Sequence, residues 1–102
     1  MLTPSEVTEV REGRKVLRAI DHPLRDRILS VINGNPTGKT VTEIYTEMRL
    51  EQSVASQHLA ILKNAGVVSI RRDGKFIFYT VNRRVLNTII VLAKDIANAN
   101  GL

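Results

Sequence analysis

The chain of 102 residues contains no cysteine. That one absence excludes disulfides, thiolate metal sites and cysteine nucleophiles together. It accords with a reducing compartment, so a cytoplasmic location is expected. No apolar run approaches the ~20 residues of a membrane span, and no charged-then-apolar secretion signal opens the sequence. A glycine-rich phosphate loop is also missing, since Gly34, Gly38, Gly66 and Gly74 are scattered turn residues. No serine, histidine and aspartate form a nucleophile-elbow pattern, and the carboxylates are dispersed or close to basic residues, so an enzyme is not expected. Internal repeats, low-complexity stretches and flexible linkers are absent. What is there is a chain 43% hydrophobic, too apolar for a disordered tail and of the length of one domain. Such a chain buries only about 60–70% of its unfolded surface, so economical packing is required and a second subunit would help.

The formal net charge is +5, and its placement is uneven. Residues 49–84 hold Arg49, Lys63, Arg71, Arg72, Lys75, Arg83 and Arg84 against only Glu51 and Asp73, so the whole excess lies in that third of the chain. The remainder carries 8 basic and 8 acidic residues. A localised basic excess is the electrostatic footprint of a nucleic-acid surface, with an incidental solvated face as the plain alternative.

Local signals divide the chain into helices and one hairpin. Thr3-Pro4-Ser5-Glu6 reads as a helix start with a capping box, followed by Val7, Val10, Val16, Leu17 and Ile20 at helical spacing, with Gly13 as a weak point. Asp21-His22-Pro23 ends that helix and starts a second, which buries Leu24, Ile28, Leu29 and Ile32 and stops at Asn33-Gly34-Asn35-Pro36. His22 is read as a structural cap residue. A very short extended piece ends near Val41, and Thr42 is taken as the cap of a third helix bearing Ile44, Tyr45 and Met48. After the tight connection Arg49-Leu50-Glu51, a fourth helix spans about 52–65 and ends at Gly66. Ala55, Leu59 and Leu62 form its apolar face, and Ser53, Ser56, Gln57, Ala60 and Lys63 form a small polar one. Val67–Arg71 and Lys75–Val81 then read as strands separated by Arg72-Asp73-Gly74, a hairpin signal. On the second strand Phe76 and Phe78 share one side, Ile77, Tyr79 and Val81 the other, and one set must pack on the helices. From about Arg83 a helical period returns with Val85, Leu86, Ile89, Ile90, Val91, Leu92, Ala93, Ile96 and Ala97. That helix is apolar nearly all round, so a second copy of the chain is the expected cover.

The fold class predicted is mostly α (α+β): a single winged helix-turn-helix domain over 1–102, with about five helices and a β-hairpin wing between the fourth and fifth. The helix-turn-helix falls at about 42–66, the wing at about 67–81, and dimerisation helices at about 4–20 and 83–98. In such a fold the second helix of the pair enters the major groove and the wing reaches adjacent backbone. Arg71, Arg72 and Lys75 bracket the hairpin tip, where cations meet phosphates. The Ser/Gln face can donate to phosphates and read base edges, Gln57 pairing bidentately with adenine, although Ser53, Ser56 and Gln57 are equally ordinary residues for a solvated surface.

Asp21-His22-Pro23-Leu24-Arg25-Asp26-Arg27-Ile28-Leu29 resembles the "D-P-x-R-x-x-I-L" opening of the arsenic-repressor-like (ArsR/SmtB) regulators. The stretch from Gln52-Ser53-Val54-Ala55-Ser56-Gln57-His58-Leu59 to Ala65-Gly66-Val67-Val68 is similar to that family's recognition helix. Arg71-Arg72-Asp73-Gly74-Lys75 with Phe78-Tyr79 is similar to its wing. The resemblance covers about residues 16–97. It implies a homodimeric repressor, paired through its first and last helices, that binds double-stranded DNA with dyad symmetry. The expected DNA contacts are Gln52, Ser53, Ser56, Gln57, His58, Lys63, Arg71, Arg72 and Lys75. The expected dimer contacts are Val7, Val10, Leu86, Ile89, Ile90, Ala93, Ile96 and Ala97. His58 matches a histidine common in these recognition helices, for which packing and DNA contact are both open.

The sensing chemistry departs from the resemblance. A family metal segment "C-V-C-D-L" falls on Thr40-Val41-Thr42-Glu43-Ile44, whose hydroxyls are poor ligands for soft metals. The family's other site falls on Asn82, Arg84, Asp95 and Asn98, which offers one carboxylate and an arginine that cannot ligate. Neither a metal nor another cofactor is expected, and the inducer is left open between a small organic molecule, an unusual metal site and a protein antagonist. The functional alternative is a winged helix used for RNA or protein–protein interaction.

Overall fold

Proline and short polar side chains set where the helices begin. In the computed structural model, which describes residues 3–88, 91 and 95, α1 runs over Pro4–Ile20 and α2 over Pro23–Asn33. Gly13 does not interrupt α1, and the Glu6 side chain expected to complete a capping box lies outside the described residues. His22 sits in extended backbone between the two helices. Its Nδ1 accepts the Leu24 amide at 3.1 Å, while Pro23 fills a first-turn position whose N–H would have had no partner.

The next helix starts earlier than the sequence suggested. β1 (Lys39–Thr40) leads directly into α3 (Val41–Met48), and the cap is Thr40, not Thr42. Thr40 Oγ1 accepts the Glu43 amide at 3.2 Å, and Glu43 Oε1 accepts the Thr40 amide at 2.9 Å. Thr40 wins because it alone has a glutamate three residues on, which closes a reciprocal capping box. Hydrogen bonds from the Thr40 amide, then from its hydroxyl, hold the Glu43 carboxyl below the usual carboxylate range.

Both helices of the helix-turn-helix end in the same motif. After α3, the Leu50 amide donates to the Tyr45 carbonyl at 2.9 Å and the Arg49 amide to Thr46 at 3.3 Å. After α4 (Gln52–Asn64), the Val67 amide donates to Leu62 at 3.0 Å and the Gly66 amide to Lys63 at 3.0 Å. This is the Schellman pattern, in which one left-handed residue is followed by an apolar residue directed at the core. Leu50 is half-buried and Val67 fully buried there. At the first site the left-handed residue is Arg49, with φ of 55°.

The wing is β2 (Val68–Asp73) and β3 (Phe76–Val81), paired antiparallel from Val68 opposite Val81 to Asp73 opposite Phe76. The turn is therefore Gly74-Lys75, two residues with glycine first at φ of 62°, as in a II′ turn. The turn is displaced from the expected Arg72-Asp73-Gly74, because β2 continues to Asp73 and Arg72 is a strand residue opposite Ile77. Of the two faces of β3, Tyr79 and Val81 are the ones that pack on the helices.

β1 adds to the far edge of β3, giving the order β1-β3-β2. Its approach depends on Gly38, whose φ is +89° and where an added Cβ would lie 2.5 Å from the Tyr79 carbonyl oxygen. The core beneath the sheet joins Val16 and Ala19 of α1, Ile28, Leu29 and Ile32 of α2, Ile44 and Met48 of α3, Leu59 and Leu62 of α4, and the entry to β2. Residues 83–88 are helical. There Leu86, expected at a dimer contact, is half-buried against the chain's own core.

Gly38→Ala should destabilise the domain by about 2–5 kcal/mol, combining the left-handed penalty with a clash against backbone that cannot rotate away. Urea unfolding of the variant and the parent measures it.

Candidate nucleic-acid interface

Burial fixes the rotation of α4. Ala55, Leu59 and Leu62 have no solvent exposure, and they lie along one helical stripe. Gln52, Ser53, Ser56, Gln57, Ala60 and Lys63 are exposed. Those residues from 53 onward form the opposite stripe, a strip of hydroxyls, a carboxamide and one ammonium that carries no carboxylate. Lys63 makes no ion pair among the described residues.

His58 does not share that strip. It is half-buried beside the apolar stripe, its ring centroid 4.9 Å from that of His22, and the Arg25 Nη1 lies 3.3 Å from its Nδ1. Arginine can only donate, so Nδ1 must accept and the ring is neutral with its proton on Nε2. Desolvation first, then the charges of His22 and Arg25, push the His58 pKa below the ordinary histidine value. Its placement is that of a packing residue, apart from the exposed strip that holds the other expected contacts of α4.

The wing cations also divide. Arg71 stacks its guanidinium 4.4 Å from the Phe78 centroid, donates to the Thr37 carbonyl at 2.8 Å and lies 3.8 Å from the Asp73 carboxylate. It ties β2 to the loop before β1 and is committed to that task. The side chain of Arg72, on the other face of the hairpin, makes no hydrogen bond or ion pair among the described residues, and Lys75 at the turn only stacks over Phe76 at 5.6 Å. These two are the wing groups free to meet phosphates. Arg49 joins them as an exposed cation in the connection before α4. It was not among the expected contacts, and the signal that singles it out, its left-handed backbone, is conformational.

The expected dimer residues are distributed differently. Ile89, Ile90, Ala93, Ile96 and Ala97 lie outside the described residues, as do the side chains of Val7 and Val10. Leu17 on α1 is 43% exposed and Val91 56% exposed, so apolar surface remains on both of the helices assigned to pairing. Among the described residues there is no cluster of metal ligands and no helix long and apolar enough to cross a membrane.

A family profile described as bacterial regulatory protein, arsR family, matches residues 22–69. The HTH-type transcriptional regulator YgaV of Escherichia coli (strain K12) is 33% identical over 85 residues, covering 83% of this chain and 85% of YgaV. The transcriptional repressor SdpR of Bacillus subtilis (strain 168) is 37% identical over 75 residues, covering 74% of this chain and 81% of SdpR. In fold, the chain is similar to the homodimeric winged helix-turn-helix DNA-binding domain of Mb0332 from Mycobacterium bovis, a possible ArsR-family transcriptional regulator. The TM-score is 0.74 at 20% identity, over 95% of this chain and 93% of that one.

The His58 placement predicts a pH dependence with a definite sign. With its folded pKa depressed, the unfolded chain takes up the proton first as pH falls. The stabilising contribution of neutral His58 is therefore complete above the unfolded value of about 6.5 and is lost below it. Thermal midpoints between about pH 7 and about pH 5 should fall more steeply for the parent than for His58→Gln. Equal slopes would contradict the packing of His58 against Arg25.

Proposed function

Because the chain belongs to the arsR family of bacterial regulatory proteins, we propose that it acts as a homodimeric transcriptional repressor that binds a dyad-symmetric operator through α4 and the wing. The family is one of winged helix-turn-helix transcriptional regulators. The observation that carries the finer reading is the exposed strip Ser53, Ser56, Gln57 and Lys63 on the helix that follows the turn, with the uncommitted cations Arg72 and Lys75 on the adjacent hairpin. Serine hydroxyls position the helix on phosphates, and Gln57 supplies a donor and an acceptor at the spacing of an adenine edge. Cations at the hairpin turn reach flanking backbone, which strengthens binding without selecting sequence.

Pairing completes the site. One α4 reads a few base pairs, and two related by a dyad read half-sites about one helical turn apart. The exposed Leu17 and Val91, and the apolar pattern from Val85 to Ala97, support pairing through α1 and the helix that begins at 83. Repression is supported by the likeness to the transcriptional repressor SdpR.

The test is a mobility shift on the chain's own promoter region, competed with duplex DNA of unrelated sequence and with RNA. A specific complex below micromolar protein is expected, with log K falling by about 0.9 per log unit of salt for each phosphate contacted. Ser56→Ala or Gln57→Ala should lower the preference for the operator by about 10–100-fold, the worth of a good base contact. Arg72→Ala or Lys75→Ala should weaken all duplexes alike and reduce the salt slope by about one. Failure of any fragment to shift, or equal competition by RNA, would overturn the reading.

A further inference from the structure

A second concentration of positive charge lies away from the strip and the wing. Arg11, Arg14, Lys15 and Arg18 recur at i, i+3, i+4 and i+7 along α1, so they share one side of that helix. They stand against a single carboxylate in that stretch, Glu12. Like charges at these spacings repel, and the arrangement is mildly unfavourable without a partner. Of the described acids outside α1, Glu43 closes the cap of α3, Glu47 pairs with Lys39 and Asp73 lies near Arg71.

The four cations rim a cleft of about 600 Å³ between α1 and the C-terminal half of α4. Ile61, Asn64 and Ala65 line it from the α4 side, together with Ala19 and Arg25. Ile61 is 42% exposed, an apolar side chain facing the recess. Arg25 is fixed before anything binds: it donates to the carbonyls of Ala19 and Arg18 and contacts His58 Nδ1. Among the described residues, none that lines the cleft is acidic.

We infer that this cleft binds a small organic anion, a phosphate or carboxylate carried on an apolar body. The volume lies in the range of small-molecule sites, which are concave and apolar with a few convergent polar groups. The guanidinium groups match an oxyanion by paired N–H donors, and Ile61, Ala19 and Ala65 give the body a surface to cover. A cleft between two helices that sets Ala19, Ile61 and Ala65 beside five cations suits a compact ligand with one charged end. An occupant bridges α1 to α4. On the reading of α4 as the DNA-contacting helix, the ligand is thus a candidate effector, and its effect on DNA affinity is reciprocal by linkage.

The test is a titration of the full-length, isotope-labelled chain followed by amide shifts, with octyl phosphate, inorganic phosphate and octanol as probes. Octyl phosphate should give saturable shifts concentrated at residues 11–19 and 61–65 and bind at least about tenfold more tightly than inorganic phosphate or octanol. Arg14→Ser and Arg18→Ser, each at an exposed position, should weaken octyl phosphate by about tenfold or more without unfolding the chain, as its thermal midpoint checks. Absence of saturable shifts in those segments, or equal affinity for inorganic phosphate or octanol, would sink the proposal. So would variants that leave octyl phosphate untouched and weaken duplex DNA, because the patch would then be a backbone contact. A chain that takes octyl phosphate in the cleft and shifts no DNA would instead remove the operator reading and leave the cleft standing.

Discussion

The burial of Ala55, Leu59 and Leu62 is the constraint from which the rest of the molecule follows. All three have no solvent exposure, and the two leucines alone contribute about 3–6 kcal/mol relative to exposure. Turning α4 by one residue would swing them about 100° toward solvent and drive polar side chains inward, where each would lack a partner. No other rotation of the helix is competitive. The chemistry of the outward strip is therefore decided by the inward one, and Ser53, Ser56, Gln57 and Lys63 are outside because the apolar stripe has to be inside. The Schellman turns at Arg49 and Gly66 hold the two ends of this arrangement, each anchoring an apolar residue in the same core.

Charge is sorted by what each cation already touches. Lys39 is paired with Glu47, Arg71 is held by Phe78, Thr37 and Asp73, and Arg25 is held by two carbonyls and a histidine ring. Withdrawing such a group from its partners would cost the contacts it makes, so it is a poor candidate for a mobile phosphate clamp. Arg49, Lys63 and Arg72 carry no such commitment among the described residues, and Lys75 only stacks over Phe76 at 5.6 Å. Arg49 is also held at φ of 55°, where glycine would avoid a penalty of about 1–2 kcal/mol. Strain retained at an exposed cation beside the polar strip is a pointer to a role for that side chain.

Much of this was legible in the sequence because it rests on local periodicity. The stripe at 55, 59 and 62, the extended break at His22-Pro23, and the hairpin around Gly74 each need only a few neighbouring residues to specify them. Structure and sequence pattern diverge where two local signals compete or where distant residues meet. Thr40 and Thr42 are both acceptable caps by type, and Glu43 decides between them by reaching back three residues. Asp73-Gly74 is a hairpin signal, yet the pairing of Asp73 with Phe76 shifts the turn to Gly74-Lys75. His58 sits in a motif whose neighbours face outward, and its ring packs against His22 and Arg25, at least 33 residues away in sequence. The α1 cleft was hidden by counting along the chain. Residues outside 49–84 balance to zero on paper, but folding brings the α1 cations and Arg25 together around one recess.

Arg25 connects these observations. A guanidinium has five donors and no acceptor, so every contact it makes depends on an acceptor held in place by another element. Its Nε and Nη2 use the carbonyls at the end of α1, where a cation also meets the negative end of the helix dipole. Its Nη1 uses the ring of His58 on α4. The end of α1 and the interior side of α4 are thereby joined through one rigid planar group, over and above the apolar core they share. A chain without thiolates, and without a ligand cluster among its described residues, still has a defined path between the helix rich in cations and the helix carrying the polar strip. Displacement of α1 against α2 would deprive Arg25 of its carbonyls or His58 of its donor. Either loss leaves a half-buried polar group unsatisfied, at about 1–3 kcal/mol, which is the size of coupling free energy that binding at one site exerts on another.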